Sequence, residues 1–269
     1  MTFNRDPSTP FGSRVIFSFQ SNAMEIEPIG FLQTCFGEKF AVPRQPGLCP
    51  SAWGTLELLP KYRSPEAVRG LDGFSYVWLI FGFHKTEQGN WHPTVRPPRL
   101  GGNERVGVFS SRSTFRPNGL GLSLVKLDRI ASDTEDGIEP PVLHFSGVDL
   151  VDGTPVYDVK PYLPYAEAIP DAISGYASEP ITKLEVIIEE AVKEDFGKLP
   201  ERSQRVITES LSLDPRPAAS PKGDGKTYGA LLCSMNIRFR FIDGACRITG
   251  VARGTDNLIT NHLQTMKKC

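Results

Sequence analysis

Two segments of this 269-residue chain combine turn-forming residues with guanidinium and carboxylate groups. One is Arg105 to Val125, RVGVFSSRSTFRPNGLGLSLV; the other is Asp149 to Tyr162, DLVDGTPVYDVKPY. Both set Gly, Pro, Asn or Asp between strand-like runs, and such turns expose backbone where ligands bind. Arg96-Pro97-Pro98-Arg99-Leu100-Gly101-Gly102 holds two more arginines on a stiffened loop. Arginine forks grip phosphate or carboxylate bidentately, and a proline-restrained loop lowers the cost of ordering them. Lys39 to Gly47 presents Arg44 and Gln45 in the same way, between Pro43 and Pro46. In the second segment, a turn explains Asp152-Gly153 but not Asp158 and Lys160. These two share one strand face at spacing two, with Tyr157 on the other. His84-Lys85 closes an apolar run and is a further polar pair able to line a pocket.

Several chemistries lack their motifs. No GxGxxG follows a strand and opens a helix, and no P-loop, HExxH or GxSxG is present. His84, His92, His144 and His262 are isolated from one another, so no metal site is expected. Cys35, Cys49, Cys233, Cys246 and Cys269 are odd in number and lack CxxC spacing, which points to reduced thiols and a cytoplasmic protein. The longest apolar stretch, Val77 to Phe83, is too short to span a bilayer, and Met1 to Gln20 has no secretory pattern. The formal net charge of −1 excludes a global field for nucleic acid. Yet Arg96 to Arg116 carries five arginines against one acid, Glu104.

The elements that must position these groups are mostly strands. Ile26–Leu32, Trp53–Leu59, Phe74–His84, Val106–Ser110, Leu120–Ile130, Val142–Leu150 and Pro155–Tyr162 are β-branched and aromatic runs bounded by turn residues. Ser64-Pro65 is a helix start, with Ser as N-cap. Val186 to Leu213 favours helix with a break at Lys198-Leu199-Pro200, and Pro221 to Gly225 reads as a flexible loop. Asp243-Gly244 between Met235–Ile242 and Ala245–Val251 signals a type I′ hairpin. The fold class is mainly β: a β-barrel N-terminal domain with a small α+β C-terminal domain. The expected divisions are a tag-like leader over 1–23, the barrel over 24–173, the small domain over 174–254 and a tail over 255–269.

EKFAVPRQPGL, RGLDGFSYVWLIFGFH, PTVRPPRLGGNERVGVFSSRSTFRPN and DLVDGTPVYDVKPYLPYA, in that order, resemble the bacterial TsaA-like proteins. These are the TrmO family of S-adenosylmethionine-dependent tRNA adenosine N6-methyltransferases. The resemblance is dense from Ile26 to about Tyr176. It thins through Asp214-Pro215-Arg216-Pro217-Ala218 and Gly225-Lys226-Thr227-Tyr228. It implies a homodimeric β-barrel with S-adenosylmethionine near the subunit interface. It also implies methylation of N6 of threonylcarbamoyladenosine, just 3′ of the anticodon in threonine tRNAs. By motif, the cofactor would touch Pro43, Arg44, Gln45, His84, Lys85, Arg112, Leu122, Pro155, Val156, Tyr157 and Asp158. Two departures stand out: Asn118-Gly119 replaces the family's usual Asn-Pro, and Thr34-Cys35-Phe36 replaces Ser-Pro-Tyr.

The residue types suit that reaction. Methyl transfer is an in-line displacement, so the protein chiefly positions donor and acceptor and screens charge. The cofactor's carboxylate calls for Arg or backbone N–H groups, and its ribose and ammonium call for acids or carbonyls. Asp158 or His84 is a candidate general base, worth ~10²–10⁴-fold if used, although positioning alone can suffice. Arg96, Arg99 and Arg116 suit the threonyl carboxylate; Lys160, Tyr162 and Arg216 join them as candidate tRNA contacts. Two alternatives stay open: a module that binds S-adenosylmethionine or RNA without turnover, and a methyltransferase with another acceptor.

Overall fold

The computed structural model describes residues 25–86, 91–217, 220 and 225–254. The leader over 1–23, the tail over 255–269 with His262 and Cys269, and most of the loop from Pro221 to Gly225 lie outside the described residues.

Alternating apolar runs close into an antiparallel barrel. Its strands are β1 (Gly30–Thr34), β2 (Trp53–Leu58), β3 (Tyr76–Gly82), β6 (Leu120–Ala131), β7 (Val142–Ser146) and β8 (Thr154–Pro161). Their order around the wall is β1-β2-β7-β6-β3-β8. Closure leaves no unpaired edge, and side chains at every second position fill the interior. Leu32, Leu56, Leu79, Val125, Phe145 and Val156 supply that filling and are almost wholly buried. At Gly121 a Cβ would come within 2.2 Å of the Phe81 ring, so the wall can close there only on glycine. Between β3 and β8, Ile80 pairs with Asp158 but Phe81 pairs with Val156, which makes Tyr157 the extra residue of a bulge.

The remaining N-terminal strands, β4 (Thr94–Val95) and β5 (Val106–Gly107), form a small ribbon inside the connection from β3 to β6. The strand expected over Val106–Ser110 stops after two residues. Its next carbonyl, that of Val108, is captured by the Ser111 N–H at 3.2 Å and the Ser111 hydroxyl at 2.8 Å, which turns the chain. The strand expected over Val142–Leu150 ends at Ser146, because Gly147 adopts a φ of 73° and donates to the Ala52 carbonyl instead. Ser64-Pro65 opens only a 3₁₀ turn, Pro65–Val68.

Because every neighbouring pair in the barrel is antiparallel, loops 35–52, 83–119 and 147–153 share one end, called the rim here. Loops 59–75 and 132–141 share the other. After β8 comes the short helix α1 (Pro164–Glu167).

The rest of the chain builds β9 (Val186–Ile188), α2 (Glu190–Gly197), α3 (Glu201–Ser212), β10 (Tyr228–Leu232), β11 (Met235–Ile242) and β12 (Ala245–Arg253). The sheet order is β10-β11-β12-β9, with β9 parallel to β12. Val186 to Ile188, expected to be helical, is β-branched and pairs as a strand before helix begins. Asp243 and Gly244 have φ of 52° and 77°, both positive as the type I′ hairpin requires.

Barrel and C-terminal sheet share one core. Phe36 bridges Leu232, and the Cys233 N–H donates to the Cys35 carbonyl at 2.7 Å. Phe40 stacks on Phe239 and Tyr228 with ring centroids 6.2 and 6.3 Å away. On α3, Val206, Ile207, Ser210 and Leu211 form the buried stripe that a 3.6-residue period creates. Glu209 accepts from the Ser51 N–H and hydroxyl, both at 2.9 Å, and from the Cys49 thiol at 3.3 Å. Rim loop 35–52 is therefore clamped between β10 and α3. Glu209→Ala leaves those donors without their acceptor and should cost about 2 kcal/mol. Urea unfolding should then show one transition moved to lower denaturant for barrel and C-terminal probes alike. Two separated transitions would mean that the cores melt independently.

Candidate functional site

Rim loops bring together most of the residues singled out by type. Pro43 is buried and fixes the loop on which Arg44 and Gln45 follow. Arg112 Nη1 donates to Gln45 Oε1 at 2.6 Å, linking loop 83–119 to loop 35–52. Arg44 Nη2 donates to the Arg216 carbonyl at 3.1 Å. Loss of water around the Arg44 guanidinium pushes its pKa down; Asp214 opposes this and nearby Arg99 adds to it.

The third rim loop contributes Asp149. The Ser123 hydroxyl, pointing into the barrel from β6, donates to Asp149 Oδ1 at 2.6 Å. Burial raises this carboxyl to about 6, against the opposing Ser123 bond and the Arg112 charge. A mostly buried carboxylate beside an arginine at an open loop end has the perturbed environment typical of binding sites. Ser123 escaped the sequence reading because it occupies one inward slot in an otherwise ordinary alternation. A polar residue in such a slot was the available signal.

His84 sits over the turn into β8. Its Nδ1 is 3.5 Å from the Thr154 hydroxyl, and its Nε2 is 3.9 Å from where a Cβ on Gly153 would lie. Burial depresses its pKa, and the adjacent Lys85 charge depresses it further, while a backbone bond at Asp152 opposes both. The ring is thus neutral at neutral pH and able to accept a proton. The bulged Tyr157 ring lies against Gly82, where a Cβ would fall 2.9 Å from its hydroxyl.

A second group lies on the outer wall. Leu122, 52% exposed, faces Ile80, which in turn faces Asp158, so three adjacent strands carry them in register. Pro155 pairs with the exposed Phe31, whereas Val156 points inward and is fully buried, leaving its backbone as its contact surface. Asp158 and Lys160 do share the outer face, with an ion pair of 3.0 Å. Tyr162 packs edge-on against Trp78 at 6.1 Å. Asp158 lies four residues, about 13 Å, down β8 from the rim. It lines a cavity of about 580 Å³ with Tyr62, Arg69, Leu71 and Phe74 at the opposite barrel end. No bond joins Asp158 to Arg44 or Arg112 among the described residues.

The arginine-rich segment forms the remaining feature. Arg99 donates to the Glu179 carbonyl, Arg105 to the Thr94 hydroxyl, and Arg116 to the Val108 and Ser111 carbonyls. Among the described residues, none of Arg96, Arg99, Arg105, Arg112 and Arg116 has a carboxylate partner within ion-pair distance. Arg216 differs: its fork meets both Asp214 oxygens at 2.8 and 2.7 Å, and it lies 3.8 Å over the Phe241 ring. That engagement makes Arg216 an anchor for the Arg44 loop. Gly119 has a φ of 60° and donates its N–H to the Arg116 carbonyl at 3.2 Å. Proline can do neither, so this turn depends on glycine.

Residues 31–168 match the family described as tRNA-methyltransferase O N-terminal domain, and residues 181–254 match TrmO C-terminal domain. The chain belongs to the TrmO family. A TrmO relative from Escherichia coli (strain K12), named tRNA (adenine(37)-N6)-methyltransferase, is 47% identical over 233 residues, 84% of this chain and 97% of that protein. A Pseudomonas aeruginosa protein provisionally named an S-adenosylmethionine-dependent methyltransferase is 44% identical over 220 residues, covering 80% and 92%. The crystal structure of TrmO from Pseudomonas aeruginosa superposes with a TM-score of 0.69 at 38% identity, over 88% of this chain and all of that one. Like that neighbour, the fold is mainly β around a closed barrel. No group of His, Cys, Asp or Glu able to hold a metal ion occurs among the described residues. No helix there is long and apolar enough to cross a membrane.

Asp149 provides a direct check on the rim's electrostatics. Its folded pKa, about 6, exceeds its ordinary value of 3.8, so the folded protein holds this proton more tightly. Its contribution to stability is complete below pH 4 and is lost as pH rises through 6. Asp149→Asn should therefore match the parent near pH 4 and exceed it by about 1–3 kcal/mol at pH 8 in thermal or urea unfolding. Equal stability at both pH values would contradict the buried-carboxylate reading.

Proposed function

We infer that this protein transfers a methyl group from S-adenosylmethionine to N6 of an adenosine beside the anticodon of tRNA, the acceptor being threonylcarbamoyladenosine in threonine tRNA. The supporting observation is a rim loop whose five arginines have no carboxylate partner among the described residues, one of them, Arg112, acting on the mostly buried Asp149, in a chain that belongs to the TrmO family.

The rim fits the donor's groups. Arg112 and Arg44 match its carboxylate, while Asp149 and the carbonyls of loop 147–153 match its ammonium or ribose hydroxyls. When bound, the sulfonium supplies an electrophilic methyl carbon and leaves as a neutral thioether. The chain's own work is then to hold both reactants in line and keep water out. His84, neutral at neutral pH, is the rim's candidate to take the N6 proton; Asp158 is the candidate on the outer wall. Arg96, Arg99 and Arg116 carry the threonyl carboxylate and the loop phosphates; Lys160 and Tyr162, farther from the rim than Asp158, are candidate RNA contacts on the outer wall.

A homodimer accounts for the separation between rim and outer wall. Tyr76, Leu122 and Phe31 are 45, 52 and 44% exposed on the face that also carries Trp78, Ile80 and Asp158. An apolar face of that kind suits a second copy of the chain. Two-fold packing there would set the Asp158 of one protomer beside the rim of its partner. A cytoplasmic location follows from the tRNA substrate.

Arg112→Ala should weaken S-adenosylmethionine binding at least tenfold in calorimetry and leave the melting temperature unchanged. Arg96→Ala with Arg99→Ala should raise KM for tRNA and leave donor affinity alone. Purified protein with methyl-labelled donor should label threonine tRNA that already carries the threonylcarbamoyl group. Equal labelling of tRNA lacking that group would reject the acceptor, and binding of donor with no labelling would reduce the protein to a binding module.

A further inference from the structure

Phe109 is 76% exposed at the tip of the turn that follows β5, an unusual setting for a phenyl ring. Its backbone is not loose. Val108, just before it, is 1% exposed and donates its N–H to the Pro93 carbonyl at 3.0 Å. Arg116 Nη1 donates to the Val108 and Ser111 carbonyls at 3.3 and 2.7 Å, bracing the turn from behind. Tyr176 Oη donates to the Ser110 carbonyl at 3.0 Å and ties the same turn to the segment after the barrel. A flexible loop would fold such a ring back onto the protein; this one is fixed with its ring in solvent. The Arg116 guanidinium carbon stands 5.9 Å from the Phe109 centroid. The next aromatic, Phe115, is 42% exposed, and its ring lies 6.0 Å from that of His92.

Exposed flat rings, one of them beside an arginine that has no carboxylate partner among the described residues, match one chemical class of ligand. Single-stranded RNA offers bases that stack on aromatic faces and phosphates that need positive charge, and each stacked base adds appreciable affinity. A protein partner would need carboxylates to meet Arg116 and the arginines that precede it in loop 83–119; an RNA backbone supplies that charge at every nucleotide.

We propose that Phe109 and Phe115 form a stacking platform for unpaired bases of the anticodon loop, with Arg116 gripping the intervening backbone. The proposal rests on tRNA being the substrate. It adds that the enzyme holds nucleotides beside the target adenosine by their faces, so this contact tolerates changes of base while requiring an unpaired loop.

Phe109→Ala should raise KM for tRNA about tenfold, with donor affinity, melting temperature and oligomeric state unchanged. Phe109→Tyr should restore the parental KM, and Phe109→Leu, apolar but not planar, should not. A binding test needs no methyl transfer. In Phe109→Trp, the added emission should be quenched by an anticodon stem-loop RNA and not by a fully paired RNA hairpin of equal length. Absence of quenching in a protein that still methylates tRNA overturns the platform and leaves the function standing. Quenching without methylation does the reverse. Full activity of Phe109→Leu, or dissociation of the oligomer in Phe109→Ala, would show that the ring is generic packing or an interface between copies.

Discussion

Antiparallel closure of the six-stranded wall decides where everything else can sit. Once each strand runs against both neighbours, the three connections 35–52, 83–119 and 147–153 must emerge at the same end. Residues separated by a hundred positions, such as Gln45 and Asp149, then share the surroundings of one side chain, Arg112. Closure itself depends on local concessions. Gly121 makes room for Phe81, and the Tyr157 bulge lets β3 and β8 pair past Gly82. A larger residue at either glycine would push the wall open beneath the site.

The C-terminal sheet is part of this arrangement rather than an appendage. It grips loop 35–52 through Phe36, Phe40 and the Cys35 carbonyl on one side, and α3 grips it through Glu209 and Ser210 on the other. Arg44 therefore reaches the rim from a loop whose freedom was removed by packing far from the site. Its hydrogen bond to the Arg216 carbonyl extends the same support to the guanidinium itself. Pre-organisation of this kind reduces what a bound ligand must order.

Much of this was legible from the residues. β-branched and aromatic runs bounded by turn residues marked all six barrel strands, and Asp243-Gly244 marked the last hairpin, because both signals are local. The rim arginines were legible as a group because prolines and glycines frame them. What stayed hidden depended on contacts distant in sequence. β9 reads as helix until β12 is available to pair with it. Val108 continues a strand until Arg116 and Ser111 take its carbonyl. Arg216, a candidate tRNA contact by residue type, has contacts with Asp214 and Phe241 that its sequence position did not announce. Asp149 and Ser123 meet only once β6 pairs with β7, and the one advance signal was a polar residue in an inward slot of β6. The distance between Asp158 and the rim follows from strand rise, a quantity that motif order does not carry.

A crystal structure with S-adenosylhomocysteine bound tests the account most directly. It predicts density at the rim, against Gln45, Arg112 and the loop bearing Asp149, with any contact to Asp158 coming from a second protomer. Density confined to the cavity beneath β8, among Tyr62, Leu71 and Asp158 of a single protomer, would contradict it.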